Sequence, residues 1–259
     1  MKYSICITHY NDRETLKGAL DSLLPQLDSS YEVVISDNMS DDGSEIVLDE
    51  YARSGAIKLV RGKWSRGLGR QAAMVNSAGE HIIAQLDMDD VFNPILPELV
   101  GIYHSTSEGR ILAVVSRPGD WTTNITIGPR SLISELGGWR NLHYGEDWDL
   151  WSRAAKLGKY SWTIFPIVAR SGRHVERSWG MGLFRFRVRK YTDELRLGRR
   201  VFEVGETVSV AQRGAFFVAR LSAPFQGAYH DKFNRDFSCS DPKYFVPLKS
   251  EVQRRAEAV

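Results

Sequence analysis

The stretch Ile82-Ile83-Ala84-Gln85-Leu86-Asp87-Met88-Asp89-Asp90 runs an apolar segment directly into three carboxylates. Anions this close repel one another, and a divalent cation that prefers oxygen ligands, Mg2+ or Mn2+, relieves the repulsion. Such an ion also bridges phosphate oxygens and neutralises charge on a departing diphosphate. Asp87 and Asp89 are therefore candidate metal ligands. An isolated Asp-x-Asp also serves as a solvated turn capping a helix, here one beginning near Pro94, so the surrounding elements must decide.

Those elements alternate. Residues 3–8 are strand-prone, and His9-Tyr10-Asn11-Asp12 breaks the run with turn and capping residues. Leu16, Leu20, Leu23, Leu24 and Leu27 follow at helical spacing. Val33-Val34-Ile35 predicts a second strand, ended by Ser36-Asp37-Asn38, and Ser40-Asp41-Asp42-Gly43-Ser44 introduces a helix that stops at Gly55. A third strand is expected at 57–60, a Gly/Arg-rich loop at 61–70, a helix at 72–78 and a strand at 81–86. Further on we expect a helix near 95–104, a strand at 111–115, a looping stretch at 121–129, and a helix from Glu146 that packs through Leu150, Ala154 and Leu157. Strand and helix in alternation predict an α/β fold, a mostly parallel sheet sandwiched by helices, whose ligands bind beyond the carboxyl ends of the strands. That rule brings residues 8–11, 37–44 and 87–90 to one rim.

The chain has 259 residues, 42% hydrophobic and 25% charged, ordinary globular values, and a length that suits one large domain with an appendage or two small domains. A formal charge of +2 gives no reason to expect a nucleic-acid partner. Cys6 and Cys239 have neither metal-ligand spacing nor a disulfide framework, and the opening MKYSICITHY lacks a secretion signal; both point to a cytoplasmic protein whose membrane contact, if any, is peripheral.

The motif order resembles the inverting family 2 glycosyltransferases of GT-A fold. The resemblance rests on Ile5-Cys6-Ile7-Thr8-His9-Tyr10-Asn11, Val33-Val34-Ile35-Ser36-Asp37-Asn38 with Ser40-Asp41-Asp42-Gly43-Ser44, Arg66-Gly67-Leu68-Gly69-Arg70, Leu86-Asp87-Met88-Asp89-Asp90 and Gly145-Glu146-Asp147-Trp148-Asp149-Leu150. It implies a nucleotide-sugar pocket in which Thr8 and Tyr10 border the base, Asp37 accepts from base or ribose, and Arg66 or Arg70 approaches the nucleotide or its phosphates. Asp87 would lie near ribose and metal, with Asp89 the more direct metal ligand. Each has a plainer reading: Thr8 as a strand end, Tyr10 as a packing residue, Asp37 as a turn cap, the arginines as solvated loop charges. Two departures are visible, Ser36-Asp37-Asn38 in place of paired aspartates and Gly69-Arg70-Gln71 in place of Ala-Arg-Asn.

The resemblance also makes Asp147 the candidate general base, with Glu146 positioning acceptor or base; their plainer role is to complement the dipole of a helix first turn. It implies transfer from a UDP-sugar, or secondly GDP-mannose, to a hydroxyl or phosphate, with inversion at the anomeric carbon. His174 is a candidate further metal or phosphate contact, or an ordinary surface or packed histidine.

The expected catalytic core spans residues 1–168, and residues 169–259 form a helical, basic C-terminal extension that packs on the core and shapes the acceptor side. From Arg170 to Arg200 there are ten Arg/Lys against three Asp/Glu, interleaved with Trp179, Phe184, Phe186 and Tyr191. This composition suits a carbohydrate or polyprenyl-phosphate acceptor or an anionic membrane surface; the reading preferred from sequence is a helical cover whose aromatics pack on the core. Phe216-Phe217-Val218 with Leu221 is expected to be a packing helix, too short to span a bilayer. The competing functions are a nucleotide-sugar-binding or assembly protein without turnover and a sugar-phosphate nucleotidyltransferase, whose basic Gly-rich loop is absent at residues 8–11. A Rossmann dehydrogenase is disfavoured by the lack of Gly-x-Gly-x-x-Gly after the first strand.

Overall fold

The computed structural model describes residues 2–117, 120–170, 181–199, 201, 208–226, 228–229 and 237–248. In chain order the elements are β1 (Tyr3–His9), α1 (Arg13–Leu23), β2 (Tyr31–Asp37), α2 (Ser44–Arg53), β3 (Lys58–Arg61), α3 (Arg66–Val75), β4 (His81–Ala84), β5 (Val91–Phe92) and α4 (Leu96–Thr106). Then follow β6 (Ile111–Arg117), β7 (Asp120–Pro129), α5 (Arg130–Glu135), α6 (Glu146–Lys156), β8 (Tyr160–Ile164), β9 (Val168–Arg170), α7 (Met181–Arg196) and α8 (Val210–Ser222).

Seven strands make one sheet in the order β3-β2-β1-β4-β7-β6-β8. Six run in one direction, and β7 opposes them, pairing antiparallel with β4 and β6. The period of two in β1 separates the layers. Tyr3, Ile5 and Ile7 face one side, where they bury Leu16, Leu20 and Leu23 of α1 together with residues of α2 and α4. Cys6 faces the other, against Ala73 and Met74 of α3, Leu132 and Ile133 of α5 and Leu150, Trp151 and Ala154 of α6. The sheet is thus covered on both faces, as the sequence predicts. The open edge at β8 is covered by the chain at 237–248: the Val246 N–H donates to the Trp162 carbonyl at 2.9 Å, and the Tyr160 hydroxyl donates to that of Cys239 at 2.9 Å.

Three expectations need correction. The looping stretch at 121–129 is the reversed strand β7, because Ile125 and Ile127 supply one buried face and Thr126 buries its hydroxyl in a polar network on the other. The loop at 61–70 ends early, since the Ser65 hydroxyl accepts the Leu68 N–H at 3.2 Å and starts α3 at Arg66. Leu157 does not pack; it is the exposed C-cap of α6, followed by Gly158 at φ +66°.

In the C-terminal part α7 and α8 are helices, joined by a small cluster of Tyr191, Ala215 and Ala219. β9 pairs with β5, so the chain beyond Ile167 returns to the core before α7. No helix among the described residues is long and apolar enough to cross a membrane.

Candidate active site

A cleft of about 1250 Å³ opens where β1, β2 and β4 end, larger than the roughly 300–1,000 Å³ that holds one drug-sized ligand. Thr8, His9 and Tyr10 come from the end of β1, Asn38 and Met39 from the end of β2, and Asp87, Met88 and Asp89 from the turn after β4. All three non-glycine residues with positive φ among the described residues, Asn11, Met39 and Gln85, lie in these three loops. Backbone held in that region is costly and marks segments whose shape serves a site.

The loops are tied to each other. Asn11 donates from Nδ2 to Asp41 at 2.8 Å and accepts the Asp41 N–H at 3.0 Å, while the Arg13 N–H donates to Asp42 at 2.9 Å. Asp37 is fully buried: it accepts from the Ser40 hydroxyl at 2.5 Å and lies 3.5 Å from Arg61 Nε. Its carboxylate is committed to holding the turn, and it is not among the residues lining the cleft. Much of Ser40-Asp41-Asp42-Gly43-Ser44 thus shapes the rim.

Two glycines let α3 approach. A Cβ on Gly67 would stand 2.0 Å from the Arg140 carbonyl oxygen, and one on Gly69 would press on Thr8 and Ser36. This close seat separates the two arginines that the sequence leaves equivalent. Arg66 lines the cleft with 55% of its side chain exposed, whereas Arg70 retains 4% and points at the acids of α6.

At the start of α6, Arg70 Nη1 pairs with Glu146, and its Nη2 lies 3.4 Å from Asp147 Oδ2. Trp139 Nε1 donates to Asp147 Oδ1 at 3.1 Å. Behind them Trp151 Nε1 donates to the Thr126 hydroxyl at 2.8 Å, which donates to Gln85 Oε1 at 2.5 Å. The two acids differ in access: Glu146 keeps 2% of its side chain exposed and Asp147 15%. Asp147 is the more accessible of the pair, and neither lies on the cleft lining itself. Burial raises the Asp147 carboxyl to about 7, with the Glu146 charge adding to the effect and Arg70 and Arg66 opposing it. Asp149, by contrast, is fully buried between Arg140 and Arg153 and is structural.

Asp87 opens into the cleft, yet the surrounding protein displaces solvent from it, and that desolvation raises its carboxyl above the ordinary range against the pull of Arg70 and Arg66. The turn is closed by the Asp90 N–H on the Asp87 carbonyl at 3.2 Å. Among the described residues no third His, Cys, Asp or Glu joins Asp87 and Asp89 at ligand distance; the cluster His81, His104 and Glu108 lies at the opposite end of β4. His174 falls outside the described residues.

The facing wall is α7. Arg185, Phe186, Arg189 and Lys190 line the cleft, while Asp193 accepts the N–H groups of His143 and Tyr144 at 2.7 and 3.1 Å and so fixes the loop before α6. With Lys63 and Arg66 these residues set a cationic wall against the carboxylates of the rim. Sequence reasoning gave no role to His9, Trp64, His143, Tyr144 or Trp139. His143-Tyr144, directly before the acidic helix, carried the nearest thing to a signal. His9 is 4% exposed and neither ring nitrogen has a hydrogen-bond partner; burial lowers its pKa although Asp37, Asp12 and Asp42 favour its protonation.

Among solved structures, the chain is similar to a mannosyltransferase from Pyrobaculum calidifontis in complex with GDP-Man and Mn2+, with a TM-score of 0.60 at 16% identity, covering 88% of this chain and 76% of that one. It is also similar to S. aureus TarS in complex with UDP-GlcNAc, with a TM-score of 0.55 at 16% identity, over 88% of this chain and 74% of that one. Both likenesses show the GT-A fold. Among curated proteins, the uncharacterized glycosyltransferase YfnE of Bacillus subtilis is 36% identical over 86 residues, 32% of this chain and 22% of that protein. The UDP-Glc:alpha-D-GlcNAc-diphosphoundecaprenol beta-1,3-glucosyltransferase WfgD of Escherichia coli is 29% identical over 90 residues, 34% of this chain and 35% of that protein. The chain therefore spans about a third or less of the length of these curated relatives. The model of the glycosyl transferase family 2 matches residues 4–151, more than half of the chain and the whole of the rim just described, and the chain belongs to that family.

Proposed function

We propose that this protein transfers a sugar from a nucleotide diphosphate sugar, UDP-sugar before GDP-mannose, to an acceptor hydroxyl or phosphate with inversion at the anomeric carbon. The observation that carries the reading is the grouping of Asp87, Asp89 and Arg66 on the cleft with Asp147 just behind them, its carboxyl at about 7.

In this reading the nucleotide lies along Thr8, Tyr10 and the rim loops, and Arg66 pairs with the diphosphate. Asp87 and Asp89 offer oxygen donors only, the set that Mg2+ or Mn2+ favours, and two carboxylates leave positions for phosphate oxygens and water. When bound, the ion neutralises the charge that gathers on the leaving diphosphate. Asp147 removes the proton of an acceptor hydroxyl as that oxygen attacks the anomeric carbon on the face opposite the diphosphate, so the new bond has inverted configuration. A carboxylate with pKa near 7 is a stronger base than an ordinary one, half ionised at neutral pH and largely ionised above it. Trp139 orients it and Glu146 neutralises Arg70 behind it. The cationic face of α7 favours a phosphorylated acceptor, a polyprenyl phosphate or diphosphate-linked sugar, and the acceptor printed in the name of WfgD supports that class.

The test is a panel of UDP- and GDP-sugars with Mn2+ and with Mg2+, followed by nucleoside diphosphate release and by NMR of the first-formed anomer of the transferred or hydrolysed sugar. Release from one donor with inverted configuration is expected. Retained configuration excludes Asp147 as the base of a single displacement, and absence of both binding and release removes the reading.

A further inference from the structure

α8 is apolar on two opposite faces, and α7 covers only one of them. Ala215, Ala219 and Ala223 are buried at four-residue intervals, Phe216 meets Tyr191 with ring centroids 6.4 Å apart, and Gly214 lies against Phe184. On the other side Val210, Phe217, Leu221 and the following Phe225 recur at helical spacing and face outward, Phe217 with 63% and Phe225 with 91% of its surface exposed. The expected packing helix is present and packs through Phe216 and its alanines, but Phe217, Val218 and Leu221 are exposed. Leaving such a stripe in water costs apolar hydration along more than three helical turns, which a soluble surface rarely keeps without use.

We infer that the outward face of α8 is a docking surface for an anionic lipid bilayer. Charge decides the occupant. Arg213 and Arg220, both exposed and seven residues apart, run along one border of the stripe, and there is no Asp or Glu anywhere from 208 to 229. Phenylalanine and leucine on one side with arginine at the border match the interfacial zone, where rings sit at the acyl boundary and guanidinium groups meet lipid phosphates. A second copy fits the surface less well. Pairing two such helices would crowd four arginines around one contact with no acid to answer them, and a single helix face falls short of the roughly 800 Å² per partner of a stable interface.

The location gives the surface a purpose. α7, on whose back α8 lies, sends Arg185, Phe186, Arg189 and Lys190 into the cleft, so the bilayer face and the cleft lie on opposite sides of the α7–α8 pair, about two helix diameters, ~20 Å, apart. An acceptor anchored by a lipid tail would reach the cleft by extending its head group past α7. The inference goes beyond glycosyl transfer, and its test needs no turnover.

The experiment is flotation of the full chain with phosphatidylcholine vesicles, with and without phosphatidylglycerol, at low and high salt. The wild-type protein is expected to float with the anionic vesicles and to dissociate in high salt. The triple variant Phe217→Ser, Leu221→Ser, Phe225→Ser should lose at least about tenfold in partitioning with an unchanged thermal melt and unchanged UDP or GDP binding. Arg213→Gln with Arg220→Gln should lose about tenfold or more. Wild-type protein that ignores anionic vesicles, or a triple variant that floats as well as wild type, overturns the inference. So does a dimer seen by sedimentation velocity that the triple variant disperses while vesicles leave the wild type unbound.

Discussion

Arg70 reaches Asp147 across 3.4 Å in a region where it also pairs with Glu146, so one guanidinium, 4% exposed, holds two of the three acids of the α6 first turn. Arg70 is the main attraction holding the Asp147 carboxyl down against the larger effect of burial. Removing its charge should raise Asp147 above its value of about 7. We predict that Arg70→Met moves the ascending, acid-side limb of the kcat/KM pH profile upward, with full rate reached only at more alkaline pH. Arg70→Lys keeps the charge and should shift it less. An unchanged profile in a folded Arg70→Met protein would separate Arg70 from the base.

Asp147 also predicts a conflict between activity and stability. Its folded pKa is raised above the 3.8 of an ordinary Asp, so the folded state binds the proton more tightly and stability is lost as pH rises from about 3.8 through about 7. Asp147→Asn removes that cost. At pH above 7 it should melt no lower than wild type, and on the order of 2–4 °C higher for each kcal/mol relieved, while turnover falls about 10²–10⁴-fold. Calorimetry and nucleoside diphosphate release on the same sample check both halves.

Arg66 and Arg70 should fail differently. Arg66 is exposed and lies in the cleft, so Arg66→Ala is expected to weaken donor binding about tenfold, read as a higher donor KM, with stability within about 0.5 kcal/mol of wild type. Arg70→Ala instead removes the close, buried partner of Glu146, leaving only the exposed Arg66 at 3.9 Å, and should cost several kcal/mol in urea unfolding.

Gly67 carries a steric prediction. Alanine there would bring a Cβ within 2.0 Å of the Arg140 carbonyl oxygen, and backbone cannot yield cheaply. Gly67→Ala should lower the melting temperature by several degrees and weaken nucleotide binding, whereas Gly18→Ala, with open space around it, should do neither.

Acid sensitivity has a definite sign. Burial lowers the pKa of His9, His81 and His143 below 6.5 in the folded protein. As pH falls through 6.5 the unfolded chain takes up protons that the folded one refuses, so these groups subtract stability until pH passes their folded values. Urea midpoints on either side of pH 6.5 should show the loss, and His9→Phe should flatten it.

The rim was legible because each of its loops follows an apolar strand and is written in Asp, Asn and Ser, so the alternation of elements alone sent Thr8, Asp37 and Asp87 to the same end of the sheet. What those side chains do there was less legible. Asp37 binds the Ser40 hydroxyl of its own loop, and Asp42 binds the Arg13 N–H, a contact that depends on how two distant turns meet. Glycines at 67 and 69 read as a loop because their use is a close approach to Arg140 and Thr8, invisible before the chain folds. The buried hydroxyl of Thr126 disguised β7 in the same way, since a polar residue between two isoleucines looks like surface until Gln85 and Trp151 are found beside it. Phe217 and Leu221 differ in the opposite direction: in a run that reads as a packing helix, Phe216 and the alanines pack while Phe217 and Leu221 are exposed.

The most direct test of metal-supported transfer at the Asp87-Met88-Asp89 turn is nucleoside diphosphate release by Asp89→Ala under saturating Mn2+, using the donor that the wild-type protein turns over. Asp89 is a half-buried cleft residue, so the variant should fold and melt like wild type within about 1 kcal/mol. Release should fall at least about a hundredfold and no longer be stimulated by Mn2+. Release at the wild-type rate, with its Mn2+ dependence intact, would contradict metal-supported transfer at this turn.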